Sequence, residues 1–134
     1  MFKIAILGCE NSHADGFLNT IRDEKLEDIQ VMGVYSCFEG AAERLNELYG
    51  VPVMENFDSL VDQLDGLIIT ARHGDSHYKF ARPYIESGIP MFIDKPITVS
   101  ETEAVMFMKE LKEHGVRISG GSSLKQDVYV QRLK

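Results

Sequence analysis

Tryptophan is absent from the sequence, and cysteine and proline are scarce, with two and four residues. The two cysteines, Cys9 and Cys37, match no zinc or redox spacing. That excludes a disulfide framework and fits reduced thiols in a cytoplasmic protein. No apolar run approaches the ~20 residues of a membrane-spanning helix. Lys3 precedes too few apolar residues before Glu10 for a secretory signal. Basic residues are also under-represented: 14 Lys and Arg stand against 21 Asp and Glu, giving a net charge of −7 and a pI near 5.0. This argues against nucleic acid or an anionic membrane as a partner, since both need a basic surface. Repeats and low-complexity segments are missing as well. What remains is 134 residues, 44% of them hydrophobic, enough for one domain with a sizeable core.

That content is ordered as apolar runs alternating with amphipathic helical patterns. Phe2 to Leu7 predicts a first strand, ended by Gly8. Asn11 or Ser12 then caps a helix to Asp23, with Ala14, Phe17, Leu18 and Ile21 on one face. Strands are expected at Ile29–Tyr35, at Val51–Met54, over Leu67-Ile68-Ile69-Thr70, at Met91–Ile93 and at Val116–Ser119. Helices are expected over 40–49, 59–64, 76–87 (with Pro83 inside) and from about Ser100 to His114, whose Ser100–Glu103 spacing is that of a capping box. The pattern predicts an α/β fold, a doubly wound parallel sheet with strand order 3-2-1-4-5-6. Residues 1–120 form that domain, and residues 121–134 read as the start of a connection.

In such a sheet, ligands bind at the carboxyl ends of the strands where the order reverses. The loops there are Gly8 to His13, Ser36 to Phe38, Thr70 to His77, and Asp94-Lys95-Pro96. Three of the four histidines (His13, His73 and His77) fall on this edge with Glu10, Asp75, Asp94 and Lys95. Such a gathering of ionisable groups marks a candidate site. His73-x-Asp75-x-His77 also leaves a metal-binding module open, although its spacing is no known zinc signature and no metal ligand is assigned.

Three segments carry a family resemblance. They are Tyr49-Gly50-Val51-Pro52-Val53 with Phe57, Thr70-Ala71 with His77, and Gly88-Ile89-Pro90-Met91-Phe92-Ile93-Asp94-Lys95-Pro96. In these the chain resembles the N-terminal, dinucleotide-binding Rossmann domain of the glucose–fructose oxidoreductase / inositol dehydrogenase (Gfo/Idh/MocA) family. Arg72 stands where that family usually has proline, and Asp94 where it has Glu. The resemblance implies NAD or NADP as cofactor and a hydroxyl of a sugar, polyol or related small molecule as substrate. It assigns Lys95 as the catalytic residue. It places Gly8, Glu10, Asn11, Ser12, His13, Ser36, Thr70, Ala71, His73, His77, Asp94, Lys95 and Pro96 at the cofactor. It further implies a C-terminal substrate domain absent from this chain, which would also supply the surface of a homo-oligomer. The sequence thus reads as a fragment of a longer enzyme.

Departures from the pattern sharpen the question. The Gly-x-Gly-x-x-Gly fingerprint expects glycine at positions 8, 10 and 13, and the chain has Gly8, Glu10 and His13. A carboxylate at position 10 crowds and repels a pyrophosphate. NAD-specific members usually carry an acid near position 36, where this chain has Ser36, and no arginine neighbours Ser36 in sequence to favour NADP. A non-catalytic, ligand-sensing Rossmann domain is therefore the alternative.

Overall fold

The computed structural model describes residues 1–72, 76–94 and 101–120. Strands β1 (Phe2–Leu7), β2 (Ile29–Tyr35), β3 (Gly66–Ile69), β4 (Met91–Ile93) and β5 (Ile118–Gly120) form one parallel sheet, ordered β2-β1-β3-β4-β5. Helices α1 (Ser12–Asp23), α2 (Ala41–Tyr49), α3 (His77–Ile85) and α4 (Glu101–Glu113) make the crossovers. The sheet grows from β1 to β2, then jumps back past β1 to β3. The order therefore reverses between β1 and β3, and a crevice opens at their carboxyl ends.

Alternation along the strands divides the core between two faces. Ala5 and Leu7 of β1, Leu67 and Ile69 of β3, and Met91 and Ile93 of β4 pack under α3 and α4, with Phe80, Tyr84, Phe107 and Leu111. Tyr84 is wholly buried, its hydroxyl donates to the Phe57 carbonyl at 2.6 Å, and burial pushes its pKa up to about 12. On the opposite face, Ile6 and Val34 pack under Ala14 and Leu18 of α1 and Ala42 and Leu45 of α2. These two helices cover the β2–β1 half of their face. Beyond α1, Phe17 meets Phe92 edge-on at 5.0 Å, and an apolar groove of about 920 Å³ runs over Ile4, Ile68, Phe92 and Ile118.

The doubly wound parallel sheet is the one expected, but its details differ. The segment Val51–Met54 contributes a single bridge, Val34 to Val53, rather than an edge strand. Val34 donates to the Pro52 carbonyl and accepts from Met54, each at 2.9 Å. Pro52 has no N–H of its own to extend the ladder. The sheet order is therefore the expected one without its outermost strand. The helix expected over 59–64 is a run of turns closed by i to i+3 bonds, and Asp62 sits at a left-handed φ of 66° that interrupts helical winding. Leu60, Val61 and Leu64 still pack inward, so the apolar spacing served burial without helicity. On α4, Phe107 and Leu111 are buried, and Val105, Met106 and Met108 are exposed. The capping Ser100 and the connection over 121–134 lie outside the described residues.

Candidate functional site

The floor of the crevice is backbone. β1 ends at Gly8, which has a φ of +77°. A Cβ built there would lie 2.3 Å from the Ala71 Cα and 2.5 Å from its nitrogen, so only glycine fits between the ends of β1 and β3. The N–H groups of Gly8 and Cys9 both donate to the Tyr35 carbonyl, at 2.7 and 3.0 Å. The buried Thr70 hydroxyl donates to the Gly8 carbonyl at 2.9 Å. The ends of β1, β2 and β3 are thereby fixed to one another around one glycine. Cys9 is buried beneath them. Burial, and next the Glu10 charge, push its thiol pKa up to about 12, which leaves it protonated and without nucleophilic character.

From this floor the chain turns into α1. Asn11 caps the helix: its backbone is extended, and its side-chain oxygen accepts from the His13 N–H at 3.0 Å. Both candidate caps named by the sequence are here, with Asn11 as the cap and Ser12 as the first helical residue. His13, in place of the fingerprint's last glycine, is half exposed, and its Nδ1 pairs with Asp94 Oδ2 at the end of β4. Asp94 is buried, with 5% of its surface exposed. The pair ties the start of α1 to the far side of the crevice, above the apolar groove.

On the other side the Glu10 carboxylate reaches across the strand ends. One oxygen accepts from the Ser36 hydroxyl at 2.7 Å, and the other from the Arg72 backbone N–H at 2.8 Å. Ser36 in turn accepts from the Phe38 N–H at 3.0 Å, and the Arg72 guanidinium lies 5.5 Å from the centre of the Phe38 ring. The carboxylate is turned toward the ends of β2 and β3. No arginine neighbours Ser36 in sequence, but folding brings Arg72, from the end of β3, over Phe38, two positions past Ser36. Sequence reasoning passed over Arg72 and Phe38 as site residues. The available signal was the arginine standing where the resembling family has proline.

The remaining candidates divide. Thr70 and Ala71 are buried parts of the floor. His77 is also wholly buried, and its Nε2 lies 2.9 Å from the Ala71 carbonyl. A carbonyl only accepts, so Nε2 carries the proton, and the imidazole pins the start of α3 to the end of β3. His77 Nδ1 has no partner among the described residues. His73, Lys95 and Pro96 lie outside the described residues. Among the described residues, no group of three or more His, Cys, Asp or Glu is arranged to hold a metal ion. Likewise, no helix there is long and apolar enough to cross a membrane.

A dinucleotide fits this arrangement. The tight turn at Gly8 leads to the capped N-terminus of α1, whose positive end stands at the switch point. Fold and crevice are those of a nucleotide-binding Rossmann domain. Comparison with known proteins agrees. The profile of the family described as "Oxidoreductase family, NAD-binding Rossmann fold" (Gfo/Idh/MocA) matches residues 2–122. The chain belongs to this family and is its NAD-binding domain. Glucose-6-phosphate 3-dehydrogenase of Bacillus subtilis (strain 168) is 30% identical over 137 aligned positions, which take in 100% of this chain and 37% of that protein. The chain thus spans well under half the length of that relative. Among solved structures, the WlbA dehydrogenase of Bordetella pertussis, in complex with NADH and UDP-GlcNAcA, superposes with a TM-score of 0.78 at 14% identity. That match covers 98% of this chain and 41% of the other. Biliverdin reductase of Synechocystis sp. PCC 6803, with biliverdin and NADP+, gives 0.75 at 14% identity, covering 92% and 38%.

Proposed function

We propose that this domain holds NAD or NADP for an oxidoreductase acting on a hydroxyl of a sugar, polyol or related small molecule. The observation that carries the reading is the crevice between β1 and β3, closed on Gly8 and flanked by the capped α1 N-terminus. When bound, the nicotinamide supplies the acceptor for hydride. The chain's residues do the holding. Asn11 and Ser12 receive the pyrophosphate on backbone N–H groups at the positive end of α1, beside Gly8 and His13, whose own N–H groups donate to Tyr35 and Asn11. Glu10 and Ser36 face the adenosine side. Thr70, Ala71 and His77 anchor the two ends of the loop after β3, and His73 is assigned to the cofactor with them. Asp94 and Pro96 flank Lys95, whose Nζ binds the reacting hydroxyl and helps move its proton.

Residues 1–120 make the nucleotide-binding domain. Residues 121–134 begin the connection to a second domain that completes the substrate pocket and forms a homo-oligomer. The 37% coverage of the Bacillus relative supports this division. A cytoplasmic location accords with the free thiols of Cys9 and Cys37. The test is titration of NADH and NADPH, followed by nucleotide fluorescence. Saturable binding with blue-shifted emission is expected. No binding of either, up to millimolar concentration, overturns the reading and favours a sensor of another ligand.

A further inference from the structure

We infer that the Glu10 carboxylate is the acid that grips the adenosine ribose, displaced from the usual end of β2 to the end of β1, and that it makes the domain prefer NAD to NADP. The inference rests on the nucleotide reading above and goes beyond it to the choice of cofactor. Dinucleotide-binding sheets commonly carry an Asp or Glu at the end of the second strand, where it accepts from the ribose 2′-hydroxyl. This chain has Ser36 there. The structure brings a carboxylate to the same place by another route: the Ser36 hydroxyl donates to Glu10 Oε1 at 2.7 Å.

Three observations favour a ribose rather than a blocked phosphate site. First, the carboxylate is aimed. Its oxygens are held from two sides, by the Ser36 hydroxyl and by the Arg72 N–H at 2.8 Å. It is therefore swung toward the ends of β2 and β3 and held there. Second, it has capacity to spare. A carboxylate offers about four acceptor sites, and Ser36 and Arg72 take one on each oxygen. A vicinal diol, which brings two donors on adjacent carbons, suits such an acceptor. Third, a 2′-phosphate in the same position would set its negative charge against the carboxylate, and this repulsion supplies discrimination. Arg72 is the competing influence. Its guanidinium sits over the Phe38 ring, and the residue is exposed, so solvent and salt screen its charge. Glu10 is the less exposed of the two and is bonded to Ser36 itself.

The experiment measures Kd for NADH and NADPH with the wild-type chain and with Glu10→Gln. Wild type should bind NADH about tenfold or more tighter than NADPH, and Glu10→Gln should bring the ratio to within about threefold of one. Competition needs no variant: adenosine 5′-monophosphate should displace NADH better than adenosine 2′,5′-bisphosphate. A wild-type ratio near one, a preference for NADPH or the bisphosphate, or an unchanged ratio in Glu10→Gln overturns the assignment and passes the ribose site to Arg72. Failure of wild type to bind either nucleotide overturns the nucleotide reading itself, and the assignment with it.

Discussion

The crevice has a floor and a rim, and they are built differently. The floor is Gly8, Cys9, Thr70, Ala71 and Asp94, all buried, with the strand ends joined by backbone and hydroxyl hydrogen bonds. The rim is Glu10, His13, Ser36, Cys37, Phe38 and Arg72, partly or largely exposed, with Glu10, Ser36, Phe38 and Arg72 linked across the strand ends. The difference separates two jobs. The floor sets where the sheet opens, and a change there is felt by the whole fold. On the proposed reading the rim meets the ligand, and a change there should alter what binds while the fold persists. A Rossmann domain can in this way replace two of its three fingerprint glycines: the one retained, Gly8, is the one in the floor.

The sharpest contrast expected is between the two thiols. Cys37 is exposed and should react with a thiol reagent in the native state, whereas Cys9 reacts only when the floor opens. Its rate should be slower on the order of a thousandfold, and comparable rates would mean the floor is not closed. The same burial has a pH signature. Cys9 is raised from 9.0 to about 12, and Tyr84 from 10.0 to about 12, so above pH 9 the unfolded chain loses protons that the folded chain keeps. Their stabilising effect is fully present below pH 9 and should be lost as pH rises toward 12, which chemical denaturation across that range would record.

Next comes the floor glycine. Gly8→Ala forces a side chain into a left-handed backbone and against Ala71, and should cost about 3 kcal/mol, seen as a lower denaturant midpoint at unchanged slope. Asp94→Ala removes the buried partner of His13 and should cost about 1–2 kcal/mol. At the rim, Asn11→Ala should cost about 1 kcal/mol through the lost cap. The smallest expected effect is that of Glu10→Gln, within about 0.5 kcal/mol, because a half-exposed amide keeps an acceptor oxygen. A large loss of stability in Glu10→Gln, with little in Gly8→Ala, would break the division between floor and rim.

The sequence made the floor legible and left the rim obscure. β1, the start of α1 and β4 follow from local patterns: an apolar run stopped by glycine, a helical stripe behind an Asx cap, and a short β-branched and aromatic strand. Those signals are short in range and repeat what the backbone needs. In two places a single residue overrode the apolar pattern. Pro52 reduced an apolar segment to one bridge, and Asp62 turned a helical spacing into turns. The rim rests on contacts between residues far apart in sequence. Glu10 meets Ser36 26 positions away and Arg72 62 positions away, and no periodicity predicts such meetings. Read alone, Glu10 was a defect in a phosphate loop. In the fold its carboxylate is held over the ends of β2 and β3, by the Ser36 hydroxyl and the Arg72 N–H.

The most direct test of that placement is the affinity of Glu10→Gly for NADH, since this variant restores the fingerprint glycine. If Glu10 holds the ribose, the glycine variant binds NADH about tenfold more weakly than wild type while remaining folded. Tighter binding by the glycine variant would contradict the account and show that the carboxylate obstructs the pyrophosphate.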